Sequence, residues 1–159
     1  MSRIKRQQSR MRRAVYVLIL WNQKARNMRV GALGRLDFPA GFYLYVGSGG
    51  LNAVRRVQRH LARKKRVRWH IDYLTTGRNR MRPVDAYFFP GMRECCLVRT
   101  LAAARCECGR KPMRIYEPAA GDLHRQHFPG FGSSDCRCRS HLFYAANLTS
   151  LAKALRLLH

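Results

Sequence analysis

The sequence predicts an α/β (α+β) fold, a single domain with a small mixed sheet flanked by helices, on three observations. Apolar runs rich in β-branched and aromatic residues recur at 14–21, 42–46 and 84–89. Segments with apolar residues every third or fourth position lie between and after them, at 51–65, 94–104 and 148–158. The two kinds of segment alternate through 159 residues, enough for one core and short for two.

The elements follow in order. Residues 1–13 are basic and poor in apolar side chains, and are expected to form a flexible arm that orders on a partner. Ala14 to Trp21 (AVYVLILW) reads as a buried strand, and Asn22 to Asn27 as a turn. Gly31 to Gly41 reads as a short strand and a turn, punctuated by Pro39 and Gly41. Phe42 to Val46 is a second strand, expected to close at Gly47-Ser48-Gly49-Gly50. Leu51 to Lys65 is predicted to be a helix with Leu51, Val54, Val57 and Leu61 as its core stripe. Arg56, Arg59, His60 and Arg63 fall on the opposite face, which contains no acid. Like charges at that spacing destabilise a helix; a polyanion lying across the face removes the conflict, whereas simple solvation leaves it. Trp69 to Leu74 reads as a short helix or turn. Val84 to Phe89 is a third strand stopped by Pro90-Gly91, and Glu94 to Ala104 a helix with Leu97, Val98 and Leu101 inward. Arg105 to Lys111 is a cysteine-containing loop, with a strand candidate at Met113 to Tyr116. Pro129 to Ser140 is rich in glycine and serine and leads into the apolar His141-Leu142-Phe143-Tyr144, before a terminal helix from Leu148. No internal repeat is visible.

Charge narrows the partner. Thirty-two Lys and Arg face eight Asp and Glu, a formal net charge of +24 and a pI near 11.3. A hydrophobic fraction of 47% excludes a disordered polycation. A folded domain with such a field repels itself unless an anion neutralises it. The phosphates of DNA or RNA do so with release of condensed counterions. An anionic membrane surface is the rival, and it requires an amphipathic anchor or a lipidation signal, neither of which is seen. Met1 to Arg13 holds no apolar run, and no stretch reaches the roughly 18 to 20 apolar residues of a membrane span. A soluble, cytoplasmic protein without a membrane partner is expected. Arg55, Arg59, Arg63, Lys64 and Lys65 in the first helix segment, and Arg12 and Arg13 at the end of the arm, are the candidate phosphate contacts.

A few residues carry candidate chemistry. Glu94 precedes Leu97 and Val98 by three and four positions, so it projects towards the apolar side of its helix. The helix dipole, worth about 0.3–1 kcal/mol, explains an acid in the first turn but not that orientation. A Mg²⁺ ligand in an arginine-rich cleft explains both. Tyr16 and Tyr45 fall in neighbouring strands, where tyrosine is also ordinary packing. His70, beside Trp69, reads either as a packed histidine or as a functional one. Six cysteines stand at 95, 96, 106, 108, 136 and 138. In a reducing compartment such clusters mean metal or core packing more often than disulfides. Cys136-x-Cys138-x-x-His141 and Cys106-x-Cys108 together offer enough ligands for zinc, although the C-x-C spacing departs from the usual C-x₂₋₄-C. A disulfide and plain packing are the other readings.

The series Tyr16, Tyr45-Val46-Gly47, Arg56 with His60, and Glu94 resembles the GIY-YIG nuclease superfamily. Ala14-Val15-Tyr16 stands at the first motif without its glycine and isoleucine. Arg55-Arg56-Val57-Gln58-Arg59-His60 matches the helix motif. Tyr45 to Arg56 is one residue longer than is usual among the superfamily's repair nucleases, so Arg55 is the alternative arginine. Glu94, in Arg93-Glu94-Cys95-Cys96-Leu97, stands where the family's metal ligand does. The chain is similar above all to a compact stand-alone branch, largely archaeal and bacterial and sometimes fused to a DNA-repair glycosylase. The similarity lies in Ala40-Gly41-Phe42-Tyr43-Leu44-Tyr45-Val46-Gly47-Ser48, Arg59-His60-Leu61, Trp69-His70-Ile71-Asp72-Tyr73-Leu74 and Gly130-Phe131-Gly132-Ser133-Ser134-Asp135-Cys136-Arg137-Cys138.

This resemblance implies a GIY-YIG-like domain over residues 14–145, with a C-terminal helix over 146–159 packed on it. It implies that Tyr16, Tyr45, Arg56 and His60 are catalytic and that Glu94 holds Mg²⁺. Phosphodiester hydrolysis would then have Tyr16 deprotonate water, its phenol pKa lowered by Arg56 and the metal. Tyr45 and His60 would orient water and phosphate, and Arg56 would neutralise developing charge. The alternative is a non-catalytic RNA-binding protein, a ribosomal or ribosome-associated rRNA-binding component. A net charge of +24 favours it, because many phosphate contacts slow product release.

Overall fold

The structure, a computed structural model, describes residues 14–102 and 128–158. The basic arm with Arg12 and Arg13, the loop with Cys106 and Cys108, and the strand candidate at Met113 to Tyr116 lie outside these residues.

The described elements are β1 (Ala14–Asn22), β2 (Arg26–Arg29), β3 (Arg35–Phe38), β4 (Gly41–Gly50), α1 (Ala53–Leu61), α2 (His70–Thr75), β5 (Arg82–Pro90), α3 (Glu94–Leu101), β6 (Leu142–Ala145) and α4 (Leu148–Arg156). A four-stranded sheet has the order β5-β1-β4-β6, and β2 and β3 form a separate hairpin. The fold is α+β with helices on a small sheet, as expected, but the sheet is not mixed: every strand pair described is antiparallel. β4 and β5 lie on opposite sides of β1 and both run against it. The helical connection between them therefore crosses over β1 and never delivers a parallel neighbour. No helix among the described residues is long and apolar enough to cross a membrane.

β1 is the central strand, and its unbroken apolar sequence follows from burial on both faces. Tyr16, Leu18 and Leu20 pack with Val57 of α1 and with Ile71 and Leu74 of α2. Val15, Val17 and Ile19 pack on the other face with Leu97, Val98 and Leu101 of α3 and Leu151 of α4. Helices thus cover both faces, and α3 buries the three residues its spacing predicts.

β4 and α1 differ from expectation for one shared reason. β4 does not close at the glycines but runs through them to Gly50. Gly47 pairs with Tyr16 in register, and a Cβ there would lie 2.4 Å from the Tyr16 ring carbon Cζ. A Cβ on Gly49 would lie 2.0 Å from the Cα of Ala53. The glycines are space for a ring and a helix rather than a turn. Because α1 sits so close, it packs through Ala53, Val57 and His60. Leu51, Val54 and Leu61 of the predicted stripe are 63%, 57% and 50% exposed. The helix is rotated by roughly a quarter-turn from the face its hydrophobicity predicts. It also ends at Leu61 instead of reaching Lys65. The Lys65 ammonium turns back and donates to the carbonyls of His60, Ala62 and Thr75 at 3.1, 3.0 and 3.2 Å.

Gly49→Ala tests this packing. A methyl group against a helix backbone cannot be relieved by a rotamer change, so the variant is expected to lose about 3 kcal/mol of stability in urea unfolding. An unchanged midpoint would show that α1 does not rest on β4 in this way.

Candidate functional site

One wholly buried carboxylate organises the site. Asp72, in the first turn of α2, accepts from both terminal nitrogens of Arg59 at 2.8 and 2.9 Å, and from the backbone N–H groups of Arg68 and Trp69 at 2.9 and 3.1 Å. Its Oδ1 also lies 3.5 Å from Nδ1 of His60, an electrostatic contact longer than a good hydrogen bond. Burial alone would raise the Asp72 pKa; His60, Arg59 and the two backbone donors together hold it well below the ordinary carboxylate range. Asp72 is therefore ionised at neutral pH.

The ionised carboxylate favours the His60 tautomer with its proton on Nδ1. Nε2 is then an acceptor, and the Tyr16 hydroxyl lies 2.8 Å from it, poised to donate. Both side chains are interior, His60 1% and Tyr16 2% exposed. Burial lowers the His60 pKa despite Asp72, so the imidazole is neutral. The protein's own cations do not acidify Tyr16. Burial raises its pKa and outweighs the opposing charge of Arg56, while Glu94 and Asp72 add to the rise. Tyr45 is raised in the same way, by burial first. Tyr16 is a neutral phenol whose hydroxyl faces an acceptor, Nε2 of His60.

Tyr16, Tyr45, Arg56 and Glu94 line a single pocket of about 280 Å³, and His60 stands behind Tyr16. The tyrosine rings are 6.4 Å apart. Arg56 donates to the Ser48 carbonyl at 2.6 Å. The Trp69 ring is flanked by two cations, Arg59 at 4.5 Å and Arg56 at 5.1 Å from its centroid, which fixes both guanidiniums. His70 also borders the pocket, its Nδ1 accepting from the Gly132 N–H at 3.0 Å, so it anchors the loop over residues 128–141.

Oε1 of Glu94 accepts from the Ser48 N–H at 3.0 Å and lies 3.1 Å from Nδ1 of His141. No partner for its other oxygen is found among the described residues. On the far side of His141, Nε2 is 3.3 Å from the Cys136 sulfur. Cys95, Cys136, Cys138 and His141 place one ligand atom each within 4.8 Å of one another, and this cluster could hold a metal ion. Cys136, Cys138 and His141 formed, with Cys106 and Cys108, one possible zinc set beside a disulfide or plain packing; Cys106 and Cys108 lie outside the described residues, and among the described ones Cys95 of α3 joins the cluster.

The expected phosphate contacts separate into two groups. Arg55, Arg63 and Lys64 are exposed on or after α1. Arg59 and Lys65 are held inward, Arg59 by Asp72 and the Arg66 carbonyl, and Lys65 by three carbonyls. Burial lowers the Lys65 pKa to about 8. Asp72 and Cys95 are the site residues that sequence reasoning did not single out. The signal for Asp72 was its rarity, one of eight acids, three residues into a helix that begins after Trp69. For Cys95 it was only adjacency to Glu94.

Asp72→Asn is expected to destabilise the fold by about 3 kcal/mol at neutral pH, because Arg59 then loses its counter-charge in a mostly buried setting. Asp72 has a depressed folded pKa, so its contribution is complete above the ordinary carboxylate value and fades as pH falls through the folded value. Urea unfolding at several pH values should show a constant gap between wild type and variant above about pH 5, narrowing below about pH 4. A gap that does not change with pH would contradict the assignment.

Residues 15–159 match the family described as Domain of unknown function DUF123. No curated protein and no solved structure matches the chain. The matched segment contains every described site residue from Tyr16 to His141, and the chain belongs to the DUF123 family.

Proposed function

We propose that the chain binds nucleic acid through its basic face and hydrolyses phosphodiester bonds in the Tyr16–Glu94 pocket with the help of Mg²⁺, as a GIY-YIG-type endonuclease. The observation that carries this reading is the meeting of Tyr16, Tyr45, Arg56 and Glu94, far apart in sequence, around one polar pocket with His60 behind Tyr16. A packing role for the two tyrosines does not require an arginine and a carboxylate to border the same space.

The pocket fits the metal. Mg²⁺ needs one or two carboxylate oxygens and takes its other ligands from water and substrate phosphate. Glu94 offers Oε2 while Ser48 and His141 hold Oε1, and Asp135 borders the same pocket. Bound there, Mg²⁺ supplies Lewis-acid polarisation of the phosphate and charge for the leaving oxygen. The chain's own residues do the rest. Tyr16 is too basic to be a standing phenolate, so it acts as a relay. A water against its oxygen gives up a proton as the Tyr16 proton passes to His60 Nε2. Ionised Asp72, beside Nδ1, stabilises the imidazolium that forms. Arg56, fixed by Ser48 and Trp69, neutralises charge on the phosphate oxygens, and the Tyr45 hydroxyl orients the phosphate.

A second reading is favoured by the net charge of +24: a non-catalytic RNA-binding protein of the cytoplasm, associated with ribosomal subunits through rRNA. It predicts co-sedimentation with a ribosomal subunit at moderate salt and no cleavage of any substrate.

Glu94→Gln keeps an acceptor for Ser48 and removes the charge. Against branched or damaged DNA and structured RNA, its Mg²⁺-dependent cleavage should fall at least about a hundredfold with binding unchanged or tighter. Tyr16→Phe, which breaks the relay, should fall by about 10²- to 10⁴-fold. Full activity in either variant would remove that residue from the mechanism. Absence of cleavage by the wild type, together with ribosomal co-sedimentation, would establish the second reading.

A further inference from the structure

We propose that Cys95, Cys136, Cys138 and His141 bind one Zn²⁺ as a closed structural site behind the pocket. The three sulfurs and a His141 ring nitrogen lie within 4.8 Å of one another. In a tetrahedral zinc site with the usual bond lengths, ligand atoms are separated by about 3.5–3.8 Å. The set therefore needs to close by only about 1 Å, and the Cys136 Sγ to His141 Nε2 separation is already 3.3 Å. The three cysteines are free thiols, half-buried, around a histidine 1% exposed.

Three features distinguish this cluster from chance packing. The first is convergence: Cys95 comes from the first turn of α3, Cys136 and Cys138 from the loop over 128–141, and His141 from the residue before β6. The second is the orientation of His141. Its Nδ1 faces the Glu94 carboxylate at 3.1 Å, which holds the ring proton on Nδ1 and leaves the Nε2 lone pair directed at the cysteine side. A carboxylate behind a ligating histidine is the usual outer shell of a zinc ligand. The third is the donor set. Three sulfurs and one imidazole suit zinc and disfavour Mg²⁺ or Ca²⁺.

With four protein ligands, the site has no open position and is structural rather than catalytic. It ties α3, the loop and β6 at one point and steadies His141, and through His141 it steadies Glu94. Cys96 is next to Cys95 in sequence but is not in the cluster, which gives an internal control.

The test is metal analysis of the full chain purified without added metal, followed by cobalt substitution. One equivalent of zinc per chain is expected, and the cobalt form should show tetrahedral ligand-field bands with thiolate charge transfer. Cys136→Ser and Cys138→Ser should lose the metal, and Cys96→Ser should keep it. If the serine variants do not fold, mercurial titration of the native wild type should release one zinc as three thiolates are modified. A chain that carries no zinc and takes up none on titration would overturn the proposal. So would iron in its place, a cobalt spectrum without thiolate bands, or a Cys96→Ser variant that loses metal. Zinc content is read without reference to cleavage, so its outcome is separate from that of the nuclease reading.

Discussion

Asp72 is a full negative charge with no exposure, placed where α1, α2 and the strand carrying Tyr16 come together. Such a charge is costly to bury unless every lone pair is used. Here Arg59 supplies a fork from α1, and the start of α2 supplies two backbone donors. That geometry fixes the distance between the two helices. It also places His60, one residue after Arg59, with its ring between Asp72 and Tyr16. The unusual orientation of α1 follows: the helix turns its leucines outward because Ala53 must fit against Gly49 and His60 must reach inward.

Scarcity of acid makes the arrangement specific. With eight carboxylates against thirty-two strong bases, the chain cannot neutralise its own positive charge, a self-repulsion that the proposed nucleic-acid partner would relieve. Among the described residues three of those eight carboxylates, Asp72, Glu94 and Asp135, stand at the site, and the first two each face a histidine. Asp72 faces His60 behind the tyrosine, and Glu94 faces His141 in front of the cysteine cluster. The pocket between them is polar on every side that chemistry would use. Its walls come from β1, β4, α1, the first turns of α2 and α3, and the loop over 128–141.

The sequence was most legible where burial is symmetrical. β1 is apolar on both faces, and α3 buries Leu97, Val98 and Leu101 as their spacing requires. It was least legible where packing depends on an absent side chain or a polar partner. Gly47 and Gly49 look like a turn because a sequence pattern registers their flexibility and not the space they leave. Val54 and Leu61 look like core because hydrophobicity cannot weigh a helix stripe against one histidine held by a tyrosine forty-four residues away. The ordered series of Tyr16, Tyr45, Arg56 and Glu94 could be read from motifs, and the pocket brings those four together. The raised Tyr16 pKa could not, since it follows from burial, and neither could Cys95, whose partners lie more than forty positions away.

The proposed proton relay depends on the Asp72–His60–Tyr16 chain, and NMR of the imidazole nitrogens of His60 tests it most directly. A neutral ring protonated on Nδ1, with a titration midpoint below the ordinary histidine value and a shift of the Nε2 resonance in Tyr16→Phe, is the predicted result. A ring protonated on Nε2, or one that titrates at or above the ordinary value, would contradict it.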